Sequence, residues 1–172
     1  MSRNREADVL VSGGGSGDGI AALLHGIVDI GMSSRELSER ERAYATTHGM
    51  EIATFELGLD GIAVIVHRDN PVAALSLDQL RAVFTGQLRQ WSQLAALEAV
   101  IEVVARAEGS GTASFFAERV MAGAPYASGA QRLATHEAIV SAIADRRNAI
   151  GYSALGALRS AGDRVKTLAL GV

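Results

Sequence analysis

The apolar residues of this chain fall into two spacings, and the switches between them mark its elements. Val9–Val11 is a short apolar run that predicts a buried strand; beyond the glycine-rich stretch Ser12–Gly19, Ile20, Leu23, Leu24 and Ile27 recur at helical spacing. Val28–Met32 predicts a second strand. Ser38 with Glu41 three residues on is a capping-box pattern, which opens a helix running to about Ala45. Ile52–Phe55 and Gly61–Val66 are rich in β-branched residues, and the second is apolar throughout, as in a strand covered on both faces. Asp69–Pro71 ends it. Ser76 and Gln79 form another capping box, opening a helix that carries Leu77, Leu80, Val83 and Phe84 on one face and stops at Gly86.

The same device then returns. Ile101–Ala105 is strand-like and runs into Arg106–Thr112, after which Phe115, Phe116, Val120 and Met121 predict a helix. A helix over 137–146, a short strand over Ala149–Tyr152 and a final strand over Val165–Ala169 complete the pattern. Strands alternating with helices of this length predict an α/β fold with mainly parallel sheet.

Composition changes this picture little and excludes several functions. At 48% hydrophobic and 20% charged residues over 172 positions, the chain has the profile of a globular protein with a real core. Its net charge of −3 and scattered basic residues, fifteen arginines and the single Lys166, argue against a nucleic-acid partner. With no cysteine there is no disulfide, thiolate metal site or lipid-anchored cysteine. The apolar runs fall short of the ~20 residues that cross a bilayer. No signal-peptide core follows Met1–Glu6, because Asp8 and then the glycine run interrupt it.

The two glycine loops carry the candidate chemistry. A glycine-rich turn at a helix start leaves backbone N–H groups unpaired in the positive end of the helix dipole, which makes an anion cradle. Gly15–Gly17 and Gly109–Thr112 both fit, with Ser16, Ser110 and Thr112 adding hydroxyl donors. Arg106 lies just ahead of the second loop, where its planar fork can take two oxygens of one anion. The nucleotide P-loop, the dinucleotide fingerprint and the hydrolase elbow all fail on spacing. The histidines at 25, 48, 67 and 136 show no metal spacing, and core or surface packing accounts for each. No nucleophile, metal set or general base stands at motif spacing, so the chain reads as a binding protein, not an enzyme.

Gly15–Ile20, Asp29–Arg35, Asp60–Val66, Asn70–Pro71, Phe84–Gly86 with Trp91, Arg106–Thr112 and Ile150–Tyr152 occur in the order and approximate spacing of the phosphate-binding subunits of phosphate ABC transporters. The chain resembles that family over about residues 8–170. The resemblance implies a periplasmic binding protein-like fold of type II, with two α/β lobes, a ligand cleft between them and no cofactor. It implies a first lobe of residues 1–60 plus 151–172, a second of 61–150, and an extracytoplasmic location beside an ABC transporter permease. Position by position, it implies that Ser16, Gly17, Ser110, Gly111 and Thr112 donate to phosphate while Arg106 neutralises its charge. Ser33 and Ser34 stand where some relatives place an aspartate that accepts the proton of monohydrogen phosphate. That acceptor must then come from elsewhere, with Asp60 and Glu108 as candidates. Glu108, two residues beyond Arg106, is expected chiefly to pair with Arg106 and orient it.

Relative to that family the chain lacks a leading strand, loop and helix and a C-terminal return. The first lobe is therefore expected to be incomplete and to be covered by homo-oligomerisation or strand exchange. Two alternatives stay open beside phosphate delivery to a transporter. One is a truncated or sensory module with weak or no anion binding; the other is a binder of a different tetrahedral oxyanion.

Overall fold

A computed structural model describes residues 8–159 and 161–171. Met1–Glu6, where an export signal was sought, lies outside the described residues. The elements in chain order are α1 (Ser16–Leu24), α2 (Glu39–Thr47), β1 (Ile62–His67), β2 (Ala74–Ser76), α3 (Leu77–Phe84), β3 (Glu102–Arg106), α4 (Gly111–Arg119), β4 (Gln131–Leu133), α5 (His136–Ala144), β5 (Ala149–Ala154), α6 (Leu155–Leu158), β6 (Val165–Thr167) and β7 (Ala169–Gly171). One-turn 3-10 segments lie at Trp91–Gln93 and Gly162–Arg164.

Five strands form one sheet in the order β4-β3-β5-β1-β6, and β2 pairs with β7 in a second. The pairings of β3 with β4, β3 with β5 and β2 with β7 are parallel; β1 runs antiparallel to both β5 and β6. The fold is thus mixed α/β with mainly parallel pairing, as the alternating pattern predicts.

Side chains alternate across a strand, so each central strand feeds two cores. Val64 and Val66 of β1, Val103 and Ala105 of β3, and Ile150 and Tyr152 of β5 face one side, where they meet Phe84 of α3, Phe116 of α4 and Trp91. Ile65, Val104 and Ala149 face the other, under Ile139 and Ile143 of α5. A Cβ on Gly151 would stand 3.0 Å from Val104 O and 3.3 Å from Ile139 and Ile143 side-chain carbons, so its bare backbone lets α5 settle on the sheet. Both capping boxes form: Ser38 Oγ accepts from Glu41 N and Ser76 Oγ from Gln79 N, with the N3 side chain returning the bond each time. Gly86 closes α3 at φ +78°.

Residues 8–60 depart from the reading of the sequence. Val9–Val11, Val28–Met32 and Ile52–Phe55 are not strands, and Leu10 and Phe55 are 98% and 81% exposed. A strand requires a neighbouring ladder to take its N–H and C=O groups, and no strand pairs with these segments among the described residues. What does form there is a small core of Ile20, Leu24 and Ala45 between α1 and α2, edged by Leu37, Tyr44 and Ile52. Leu77, placed on the apolar face of α3 by its spacing, and Phe115 of α4 are exposed at their helix surfaces.

Candidate functional site

The site is built from helix starts. α4 follows β3 through a turn in which Gly109 takes φ +83°, a conformation glycine adopts without strain. Ser110 is the N-cap of α4, and its Oγ accepts from Ala113 N at 3.4 Å and from Arg106 Nε at 3.2 Å. With both lone pairs engaged, its own hydroxyl proton is left to donate outward. At the start of α1, Gly15 N donates to Asp18 Oδ2 at 2.9 Å, so that N–H is already spoken for.

The two loops meet. Gly17 N donates to Gly109 O at 3.0 Å. A Cβ placed on Gly111 would overlap Ser34 Oγ and come within 2.6 Å of Ser16 Oγ. Those hydroxyls lie 3.1 Å apart, and Ser34 N also donates to Ser16 Oγ at 3.1 Å. Ser16, Gly17 and Ser34 are thus brought against Gly109 and Gly111 of the loop that opens α4, far later in the chain.

Arg106 is the electrostatic centre. It is 5% exposed, its Nε is held by Ser110, its N–H donates to Tyr152 Oη at 3.3 Å, and its carbonyl accepts from Arg132 Nη1 at 3.0 Å. Its Nη1 is buried and has no hydrogen-bond partner among the described residues. Burial pulls its pKa down from the usual arginine value, opposed by Tyr152 and Glu137. A guanidinium stays charged in proteins, and a buried, partly unsatisfied cation is costly without a matching anion.

A cleft of ≈ 440 Å³ opens beside this arginine. Gly13, Gly14, Gly15 and Asp18 line one wall; Arg106, Ala107, Glu108 and Ser110 line another; Ala134, Thr135, His136 and Glu137 close it. The last group went unread in the sequence. It belongs to a third strand, loop and helix start, β4 into α5, which carries no glycine and follows a strand of only three residues. Thr135 caps α5 by accepting from Ala138 N at 3.1 Å.

Other candidates are placed less centrally. Ser33 is exposed and closes its own turn, donating to Arg35 O at 2.6 Å. Asp60 is exposed, and its Oδ1 accepts from Gly61 N at 2.8 Å. Glu108 lines the cleft, but the expected ion pair with Arg106 does not form among the described residues. Arg106 is oriented by Ser110 instead, since Ser110 stands on the capped helix start while Glu108 is on an exposed turn. Ser34 and Gly111 also border a second hollow, with Arg35, Ser114 and Phe115.

An α/β scaffold that aims two helix starts and a buried arginine into one cleft is the architecture of a solute-binding protein. The chain belongs to the PBP superfamily: the family model described as the PBP superfamily domain matches residues 1–171. It is similar to the phosphate-binding protein PstS of Bacillus subtilis, at 32% identity over 170 residues, 99% of this chain and 54% of that protein. Among solved structures, a substrate-binding protein from Clostridium perfringens with bound phosphate superposes with a TM-score of 0.81 at 33% identity, over 91% of this chain and 61% of that one. An ABC-type phosphate transport receptor from Vibrio cholerae gives a TM-score of 0.67 at 29% identity, over 96% and 66%. The chain thus spans about half the length of the Bacillus subtilis relative.

Proposed function

We propose that this chain grips inorganic phosphate for delivery to an ABC transporter and does not transform it. The observation that carries this reading is Arg106 Nη1, buried without a hydrogen-bond partner among the described residues, in a cleft also lined by Ser110 and by the glycine loop that opens α1. Phosphate offers several acceptor oxygens and the compensating charge in one body, which is what this set of donors and this guanidinium lack. In this reading Arg106 takes two oxygens, Ser110, Gly111 and Thr112 donate from one side, and Ser16 and Ser34 donate from the other, while the Gly17 N–H stays on Gly109 O and holds the two loops together. The names of the Bacillus subtilis and Vibrio cholerae relatives support the choice of phosphate.

A carboxylate facing the anion accepts the proton of monohydrogen phosphate and repels a fully ionised sulfate. Glu108 lines the cleft and remains the candidate acceptor, with Asp60 second. Ser33 serves the turn and not the ligand in this reading. The division into two lobes belongs to the same proposal. The expected division is a first lobe of 1–60 plus 151–172 and a second of 61–150, with the boundary near Asp60 and Gly61. The pairing of β5 and β6 with β1, and of β7 with β2, supports counting 151–172 with the second lobe. The exposed apolar side chains of Val9, Leu10, Ile30 and Phe55 support a further element, a second copy of the chain, that covers the first lobe. An extracytoplasmic location and a permease partner follow from the transporter reading.

Titration calorimetry of the chain with phosphate, sulfate and molybdate tests the proposal. Saturable phosphate binding that is lost in Arg106→Ala is the expected result. Silence toward phosphate overturns it, and preference for sulfate or molybdate replaces phosphate with that anion. Sedimentation over a range of concentrations tests the second copy, which a monomer throughout overturns.

A further inference from the structure

His136 stands at the first position of α5 on the cleft wall, and the reading of the sequence gave it no task. Its ring bridges two strictly placed partners. Ala154 N is 3.2 Å from Nδ1, and a backbone N–H can only donate. Nδ1 therefore carries its lone pair. Ser153 Oγ, fully buried at 3.1 Å from the same nitrogen, takes the donor role toward it as well. A neutral imidazole with its lone pair on Nδ1 holds its proton on Nε2. Nε2 in turn lies 3.5 Å from Thr112 Oγ1, at the outer limit of a hydrogen bond.

We propose that His136 is a positioning residue that fixes the Thr112 hydroxyl as a donor toward the bound oxyanion. A threonine hydroxyl owns one proton and can rotate it. Once Nε2–H points at Thr112 Oγ1, the oxygen accepts there and its own proton turns away from the ring. Thr112 is buried in the first turn of α4, beside Ser110, whose proton is freed by the same logic. The helix start then presents hydroxyl and backbone donors with none rotated backward. The long Thr112 contact shortens when the anion binds, as site hydrogen bonds do on ligation.

The surroundings keep the ring neutral. Burial lowers the His136 pKa first and Arg106 of β3 lowers it further, while Glu137 of α5 and Asp60 ahead of β1 oppose. Ser153 and Ala154 of β5 and Thr112 of α4 are its uncharged neighbours.

The inference rests on the phosphate reading, and its test separates the two. Long-range nitrogen-15 correlation NMR of the labelled chain at pH 7 is expected to show His136 protonated on Nε2 alone; an Nδ1–H ring or an imidazolium overturns the inference. In calorimetry with inorganic phosphate, His136→Leu and Thr112→Val are each expected to weaken binding about tenfold, the loss of one hydrogen bond. His136→Gln keeps an N–H donor near Thr112 and is expected to stay within about threefold of the parent chain. The double variant His136→Leu with Thr112→Val is expected to bind like Thr112→Val alone, because the first residue acts through the second. Additive penalties, or a His136→Gln variant as weak as His136→Leu, overturn the positioning role while leaving phosphate binding intact. Failure of the parent chain to bind phosphate overturns the functional reading itself. Should His136→Leu not fold by circular dichroism, the NMR tautomer and the His136→Gln and Thr112→Val titrations still decide.

Discussion

Gly17 donates its backbone N–H to the carbonyl of Gly109 across 3.0 Å, so main chain hydrogen-bonded to main chain joins the loops opening α1 and α4. Gly109 itself sits at φ +83°, in the left-handed region. Around it, a Cβ on Gly17 would stand 3.1 Å from the same oxygen. The contact therefore depends on glycine twice, once for conformation and once for space.

Gly109→Ala tests the first dependence. An L side chain in the left-handed region costs about 1–2 kcal/mol, and no neighbour within 4 Å blocks a Cβ there, so the penalty is purely conformational. Urea denaturation followed by the fluorescence of Trp91, the single tryptophan and fully buried, is expected to show a loss of this size. A variant as stable as the parent would mean the loop relaxes freely and the Gly17 contact is incidental.

Arg106 separates stability from binding. Arg106→Lys keeps a positive charge but loses the planar fork and the Nε bond to Ser110. Phosphate affinity is expected to fall at least about a hundredfold, the scale of a lost charge-assisted pair. Arg106→Ala removes a buried cation whose Nη1 has no partner among the described residues, so the ligand-free chain is expected to melt no lower than the parent. Millimolar phosphate is then expected to raise the melting temperature of the parent and leave that of Arg106→Ala unmoved. Equal shifts in both would place the anion elsewhere.

The second half of the chain was legible because its strands find partners within reach. Ile101–Ala105 and Gly61–Val66 read as strands from β-branched content and became β3 and β1, each with a neighbour on both sides. Val9–Val11 has the same local pattern and no ladder among the described residues, and apolar pattern alone does not report pairing. The capping boxes at Ser38 and Ser76 were reliable because every atom involved lies within four residues. Within the site, Ser110 and Arg106 were visible from spacing, whereas His136 enters the cleft on an element with no glycine signature. The expected Glu108–Arg106 ion pair is absent among the described residues, because closeness in sequence does not by itself bring two side chains into contact across a turn.

Acid should loosen the start of α2 through one carboxylate. Glu41 receives two bonds of 2.8 Å from the Arg35 guanidinium and further bonds from Ser38, and the Arg35 bond above all holds its pKa down to about 2. A folded-state pKa below the unfolded value contributes stability that is complete above pH ~4.5 and lost as pH falls toward 2. Because both side chains keep some contact with water, about 1 kcal/mol is the appropriate scale. Stability at pH 6 is expected to fall by this amount in Glu41→Gln, with the gap to the parent narrowing as pH falls below ~4.5 and closing only once pH has passed through about 2. A gap that persists at low pH would assign the loss to the helix cap and not to the charge.

Tyr152 ties the arginine to the core, and its hydroxyl can be removed without disturbing the ring. The ring lies flat on Phe116, centroids 3.9 Å apart at 5°, and is fully buried. Its oxygen accepts the Arg106 backbone N–H at 3.3 Å and lies 3.0 Å from Tyr126 Oη. Tyr152→Phe keeps the stacking and leaves a buried N–H without its acceptor, which costs about 1–3 kcal/mol. Tyr126→Phe removes a hydroxyl from a less buried ring and leaves the Arg106 bond in place, so about 0.5–1 kcal/mol is expected. The ordering of the two penalties in denaturant titrations is the decisive reading. If Tyr126→Phe costs as much as Tyr152→Phe, the stabilisation resides in the tyrosine pair, and the backbone of Arg106 does not depend on this bond.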